Sequence, residues 1–181
     1  MIFLIGYMAS GKSTLGGALA RAIPGLSFVD LDDAVEAEAG MTVAEIFAAE
    51  GEAGFRRRES AVLRAVSVPG AIVACGGGTP CDPANMDFML ARGTVVLLEA
   101  SVGIIADRLL EAPAGKRPLI DAYRDDRDAL LEHIAAMLAG RAKHYSRAHA
   151  RFDADDLDTA DGISRSVRRF AEAFGLPAPQ L

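Results

Sequence analysis

Residues 6–13, Gly-Tyr-Met-Ala-Ser-Gly-Lys-Ser, fit the pattern G-x-x-x-x-G-K-[ST]. The pattern becomes chemistry only where it joins a strand to a helix, and here it follows the apolar run 2–5 and opens a helical stretch. Glycines let the backbone wrap a phosphate, and a helix N-terminus offers unpaired N–H groups and a positive dipole. Ala9, Ser10, Gly11, Lys12, Ser13 and Thr14 are therefore expected to cradle a nucleoside triphosphate, with Lys12 on the outer phosphates and the Ser13 hydroxyl on Mg²⁺. The plain alternative, a glycine turn with a solvated lysine, does not need the motif, the strand and the helix to coincide.

A second set of residues follows the next apolar run. In Phe28-Val29-Asp30-Leu31-Asp32-Asp33, the first two carboxylates are two residues apart, and on an extended strand end they would point the same way. One could organise Mg²⁺ through water while the other accepts a proton from a substrate hydroxyl. The competing reading is N-capping of a helix by Asp32 or Asp33. Arg56, Arg57 and Arg58 spread over different helix faces; Arg56, beside Phe55, suits a planar clamp on a carboxylate, and the other two suit solvent or ion pairs. Gly76, Gly77 and Gly78, at the end of a strand, leave backbone N–H groups bare for close approach of a ligand.

Composition narrows the class. The chain has 181 residues, 51% hydrophobic and 24% charged, enough for one domain with a sizeable core. With 19 Lys and Arg against 25 Asp and Glu, the net charge is −6 and there is no basic block, which argues against nucleic acid and anionic membrane as partners. No apolar run reaches the ~20 residues of a membrane span, and the first strand begins directly after Met1, so a cytoplasmic protein is expected. Cys75 and Cys81 allow no disulfide framework and read as reduced thiols. His133, His144 and His149 lack metal-ligand spacing, and the last two read as surface residues.

The elements that must position these groups alternate between strand and helix, the pattern of an α/β protein with a parallel sheet. Strands are expected at residues 2–5, 26–29, 71–75, 94–98 and 151–153. Helices are expected at 12–22 and 33–39, at 42–49 behind the Thr42/Glu45 capping box, and from 51 to 66. Further helices should follow Asp82-Pro83 to residue 92, Ser101 to 110, then 125–147 and 162–174. Residues 111–124, with Pro113, Gly115 and Pro118 and no period, read as an exposed mobile loop. Residues 1–176 form a single domain in this reading, and 177–181 a frayed tail.

No N-K-x-D segment for reading guanine is present, and the strand ending in Glu99 carries no Asp-Glu pair, so a small kinase or a nucleotide-binding module remains. At this point the chain resembles the shikimate kinase family over nearly its whole length. The likeness lies in GYMASGKST, FVDLDD, the segment from Ile46 to Glu59, CGGGTP, Lys116-Arg117-Pro118-Leu119-Ile120, and Arg141 four residues before Tyr145. The resemblance implies a P-loop fold, a five-stranded parallel sheet of order 2-3-1-4-5 flanked by helices with a short mobile lid. It implies ATP and shikimate as substrates, Mg²⁺ held by Ser13 and by Asp30 through water, and a monomer. Asp32 would bind the shikimate hydroxyls and act as base. Arg56, Gly76, Gly77, Gly78 and Arg141 would hold shikimate, and Glu59 would orient the substrate-side arginine. Lys12 and Arg117 would complete the catalytic set, Arg117 closing over the ATP phosphates. The chain departs from the family where an adenine-stacking arginine is usual: Leu110 stands seven residues before Arg117, and Arg108 is the nearest substitute. The C-terminal adenine loop would fall near residues 159–161. Two rivals remain: a gluconate kinase, and a catalytically silent nucleotide-binding domain.

Overall fold

The computed structural model describes residues 1–113 and 118–181. Four-residue apolar runs form the inner strands because both faces of the sheet are covered. In β1 (Ile2–Ile5), Leu4 faces one layer while Phe3 and Ile5 face the other; in β4 (Thr94–Glu99), Val96 and Leu98 alternate with Val95 and Leu97 in the same way. With β2 (Ser27–Asp30), β3 (Ala71–Ala74) and β5 (Ala150–Asp153), they make one sheet of order β2-β3-β1-β4-β5, every pair parallel. This is the predicted topology.

One layer is built from α1 (Lys12–Ala22) and α8 (Ala160–Ala173), with Leu15, Leu19, Val167 and Phe170 closing on Leu4, Ile72 and Val96. The other takes Leu63 from α3 (Val43–Ala65), and Met86 and Met89 from α4 (Pro83–Arg92), against Phe3, Ile5 and Val73. α5 (Val102–Glu111) and α7 (Arg127–Tyr145) enclose a third apolar cluster of Tyr7, Ile105, Leu109, Leu130 and Ile134. Among the described residues, no helix is long and apolar enough to cross a membrane.

Helix starts follow their caps. Asp82 accepts from the Ala84 N–H ahead of Pro83, Ser101 from Ile104, and Thr42 forms the full capping box with Glu45. Several boundaries shift by one or two residues, as those of α7 and α8 do, and three differences bear on the architecture. β2 runs one residue further, to Asp30, and α2 (Leu31–Ala39) starts at once, because the capping side chain is that of Asp30 rather than of Asp32 or Asp33. Residues 43–65 form one helical run rather than two, broken at Gly51 (φ 69°, ψ −178°). The 111–124 stretch, expected to be loop, contains the short helix α6 (Pro118–Asp121). Its Ile120 is buried in the α5–α7 cluster, and a single turn is too short to leave a period in sequence. Arg124 fastens this end to the Leu110 and Ala112 carbonyls and pairs with Asp121 at 2.8 Å. The tail is held at one point, where the Gln180 N–H donates to the Ala22 carbonyl at 2.7 Å.

Candidate active site

β1 is central, so the loop that follows it, residues 6–11, emerges between β3 and β4 at the carboxyl edge of the sheet, where open α/β folds bind ligands. Gly6 adopts φ 145°, and a Cβ there would lie 2.6 Å from the Leu98 carbonyl oxygen, so only glycine fits against β4. Ala9 sits at φ 59°, the one positive φ outside glycine among the described residues. Gly11 caps α1 without a side-chain hydrogen bond, which leaves the first-turn N–H groups directed into the cleft. Lys12 folds back over the loop, its Nζ donating to the Gly6 and Tyr7 carbonyls at 3.0 and 2.8 Å. Ser10 is buried behind the loop.

The cleft in front of it has a volume of about 400 Å³ and is lined by Ala9, Gly11, Lys12, Ser13, Thr14, Asp30, Asp32, Gly76 and Gly77 among others. The two carboxylates do not share a strand face as expected. Asp30 ends β2, and its Oδ2 accepts from Ser13 Oγ at 2.6 Å while its Oδ1 accepts from the Asp32 N–H at 3.1 Å. Asp32 stands in the first turn of α2. Strand end and helix start thus deliver both groups to the same cleft by a different route. Burial, with the charges of Asp30 and Glu59 next in weight, pushes the Asp32 carboxyl up to about 6.

Next to this cleft, α3 and α7 bring further groups onto the turn after β3, whose Gly76 and Gly77 belong to the cleft lining. Arg56 on α3 donates Nη1–H to Oε2 of Glu59 at 2.9 Å; Glu59 is fully buried. A Cβ on Gly78 would lie 2.5 Å from Arg56 Nη2, so the triple glycine serves to let the guanidinium lie against the turn. From the other side, Arg141 Nη1 and Tyr145 Oη both donate to the Gly77 carbonyl, at 3.2 and 2.8 Å. The Arg141 guanidinium also stacks 5.4 Å from the Tyr7 ring centroid. Burial pushes the Tyr145 phenol up to about 12, which keeps it a donor. The structure thus brings together Arg56, Gly76, Gly77, Gly78 and Arg141, five residues drawn from three separate parts of the chain.

Sequence reading named Arg108, a wall residue, as a substitute for the missing adenine-stacking arginine, but did not name Leu157 or Asp158. Arg108 bridges the loop to the β5–α8 connection, donating to the Ala9 carbonyl at 3.2 Å, to the Ala154 and Asp155 carbonyls and to Asp158 at 2.6 Å. Leu157 and Asp158 line the cleft, whereas Thr159, slightly further on, caps α8 through the Gly162 N–H. Leu110 packs into the α5–α7 cluster. Arg117, with residues 114–116 of the expected lid, lies outside the described residues. Tyr145 could have been found, since it stands one helical turn after Arg141 on the same face. Arg58 is ion-paired with Glu38 and Glu50, as expected. His149 is exposed but has a structural role, its Nδ1 accepting the Val95 N–H at 3.0 Å. Cys75 is buried and Cys81 half-buried, both as free thiols, and burial raises the Cys75 thiol far above its ordinary value.

Comparison with known proteins adds an independent line. The family model described as "Shikimate kinase" matches residues 8–172. The shikimate kinase of Bacteroides thetaiotaomicron is 39% identical over 176 residues, covering 97% of this chain and 98% of that protein. A crystal structure of shikimate kinase from the same organism superposes with a TM-score of 0.89 at 38% identity, covering 97% and 98% of the two chains. The Acinetobacter baumannii shikimate kinase, solved in complex with shikimate, gives a TM-score of 0.73 at 26% identity, covering 96% and 92%. With the family model spanning most of the chain and these relatives covering nearly all of it, the chain belongs to the shikimate kinase family.

Proposed function

We propose that this kinase transfers the γ-phosphoryl group of ATP to the 3-hydroxyl of shikimate, giving shikimate 3-phosphate and ADP, a step toward chorismate and the aromatic amino acids. The observation that carries this reading is the placing of two arginines, Arg56 and Arg141, against the glycine turn whose Gly76 and Gly77 share a cleft with Asp32 and the phosphate loop. A small polyol carboxylate needs guanidinium forks for its acid group and a carboxylate for its hydroxyls. The shikimate-bound relative supports the choice of acceptor.

In this reading the loop N–H groups and Lys12 hold the phosphates, Lys12 exchanging its bonds to the Gly6 and Tyr7 carbonyls for phosphate oxygens. Arg56 and Arg141 fix the acceptor carboxylate, while the Gly76–Gly78 turn permits close approach. Asp32 orients the 3-hydroxyl and takes its proton as the oxygen attacks the γ-phosphorus; the bond between that phosphorus and the bridging oxygen of ADP breaks. Arg117 supplies further charge at the phosphates, as the family resemblance implies. Ser13 and Asp30 fit Mg²⁺: they bring a hydroxyl and a carboxylate within 2.6 Å of each other, hard oxygen donors beside a second carboxylate whose repulsion a cation would relieve. When bound there, through Ser13 directly and Asp30 by way of water, the cation would offset charge on the phosphate oxygens. Residues 1–176 act as one cytoplasmic, monomeric kinase domain.

A coupled ADP-release assay run with shikimate, with gluconate and with no acceptor tests the reading. Turnover with shikimate alone is expected. Turnover with gluconate would point to the sugar-acid kinase, and nucleotide binding without turnover to the silent domain.

A further inference from the structure

Beneath the Arg56 clamp lies a run of buried polar groups that the transfer reaction does not itself require. Glu59 is fully buried, and each of its oxygens has one donor: Oε2 takes Arg56 Nη1–H at 2.9 Å, and Oε1 takes the Thr79 hydroxyl at 2.5 Å. Thr79, also fully buried, belongs to the turn Thr79–Cys81 that follows the glycines. Its own carbonyl accepts from Asn85 Nδ2 at 3.3 Å, and Asn85 Oδ1 accepts from Arg64 Nη1 at 3.0 Å. The bonds leave α3 at Arg64, cross α4 and the turn, and return to α3 at Glu59 and Arg56. Every member is satisfied, the condition under which a buried network fixes one geometry.

The outer partner of Arg56 cannot do this work. Glu52 stands 3.5 Å away with a side chain 71% exposed, a loose and solvated pairing. The orientation of the guanidinium therefore depends on Glu59, and that of Glu59 depends on a donor at its second oxygen. From this geometry, and resting on the reading of shikimate as acceptor, we infer that Thr79 is a positioning residue for the acceptor clamp. Its hydroxyl locks the Glu59 carboxylate so that Arg56 presents its fork to the acceptor carboxylate.

Thr79→Val keeps the shape and removes the donor; Thr79→Ser keeps the donor; Thr79→Cys supplies a weak one. Loss of a hydrogen bond to a charged group corresponds to roughly a tenfold to hundredfold effect. Thr79→Val should raise the KM for shikimate by that factor while the KM for ATP stays within about twofold. Thr79→Ser should lie near wild type and Thr79→Cys between, a series that still decides the matter if the valine variant does not fold. Calorimetric titration with shikimate should follow the same order. A residue that only holds the turn together would lower the unfolding temperature, as Asn85→Ala should, and leave the two KM values moving together. Unchanged shikimate affinity in Thr79→Val, equal losses for both substrates, or a serine variant as impaired as the valine one would each overturn the inference. If the wild type itself neither binds nor phosphorylates shikimate, the functional reading is what has failed.

Discussion

Asp32 carries two opposed demands. Burial and neighbouring negative charge raise its carboxyl from the ordinary 3.8 to about 6. Such a group is poised to take a proton near neutrality, but it must be deprotonated first. Activity at low substrate concentrations should therefore fall as pH drops through about 6. Because the phosphates of ATP titrate in a similar range, the diagnostic quantity is the part of the acid limb that Asp32→Asn loses. That variant should lose ~10²–10⁴-fold in kcat. For stability the sign reverses. Between about 4 and about 6 the folded chain holds a proton that the unfolded chain has released, so the contribution of Asp32 to folding is present at low pH and lost as pH rises through about 6. At pH 7.5, Asp32→Asn should unfold at a higher temperature than wild type; an equal or lower midpoint in calorimetry would contradict the burial cost assigned to this group. Arg56→Lys keeps a positive charge but loses the fork that engages Glu59, and titrations should show shikimate binding weakened far more than ATP binding.

At the scale of elements, the turn after β3 is the part with least room for change. Gly78 has an ordinary φ of −97°, so Gly78→Ala strains no backbone; the added methyl instead meets the Arg56 guanidinium. Displacing a positioned group by an ångström can cost ~10²-fold, so kcat/KM for shikimate should fall by up to that factor while nucleotide affinity, measured separately, is retained. The same turn shows what was legible in the sequence. Glycines at a strand end announced a close approach, but not what approaches: Arg56 and Glu59 lie about twenty residues away in the chain, and Arg141 and Tyr145 more than sixty. Capping chemistry is local, so α4 and α5 began where Asp82-Pro83 and Ser101 said they would. Where several caps compete, as in Asp30-Leu31-Asp32-Asp33, local rules allow more than one start; the bond of Asp30 to Ser13, seventeen residues away, accompanies the start observed. The single-turn α6 and its buried Ile120 left no periodic trace, and the Arg108 bridge to the β5–α8 connection spans some fifty residues.

For the whole molecule, large exposed apolar side chains among the described residues are limited to Phe47, Val68 and Leu181. Phe47 is partly covered by its stack on Phe55 at 4.8 Å, and scattered residues of this kind do not make an association face. Sedimentation should accordingly give a single 19.0 kDa species whose mass does not change with protein concentration. The sheet order has a consequence for how the chain is made. β1 leaves the ribosome first, yet it pairs on both sides with late strands, Ile2 lying opposite Ile72 in β3 and Thr94 in β4. Until β3 has emerged β1 has no neighbour, and until β4 has emerged it lacks the second, so the loop of residues 6–11 lacks the wall against which Gly6 packs. The earliest-synthesised functional segment is thus among the last to acquire its shape, and nascent chains halted before β4 should be cut by protease within the first helix, whereas chains halted beyond β5 should resist.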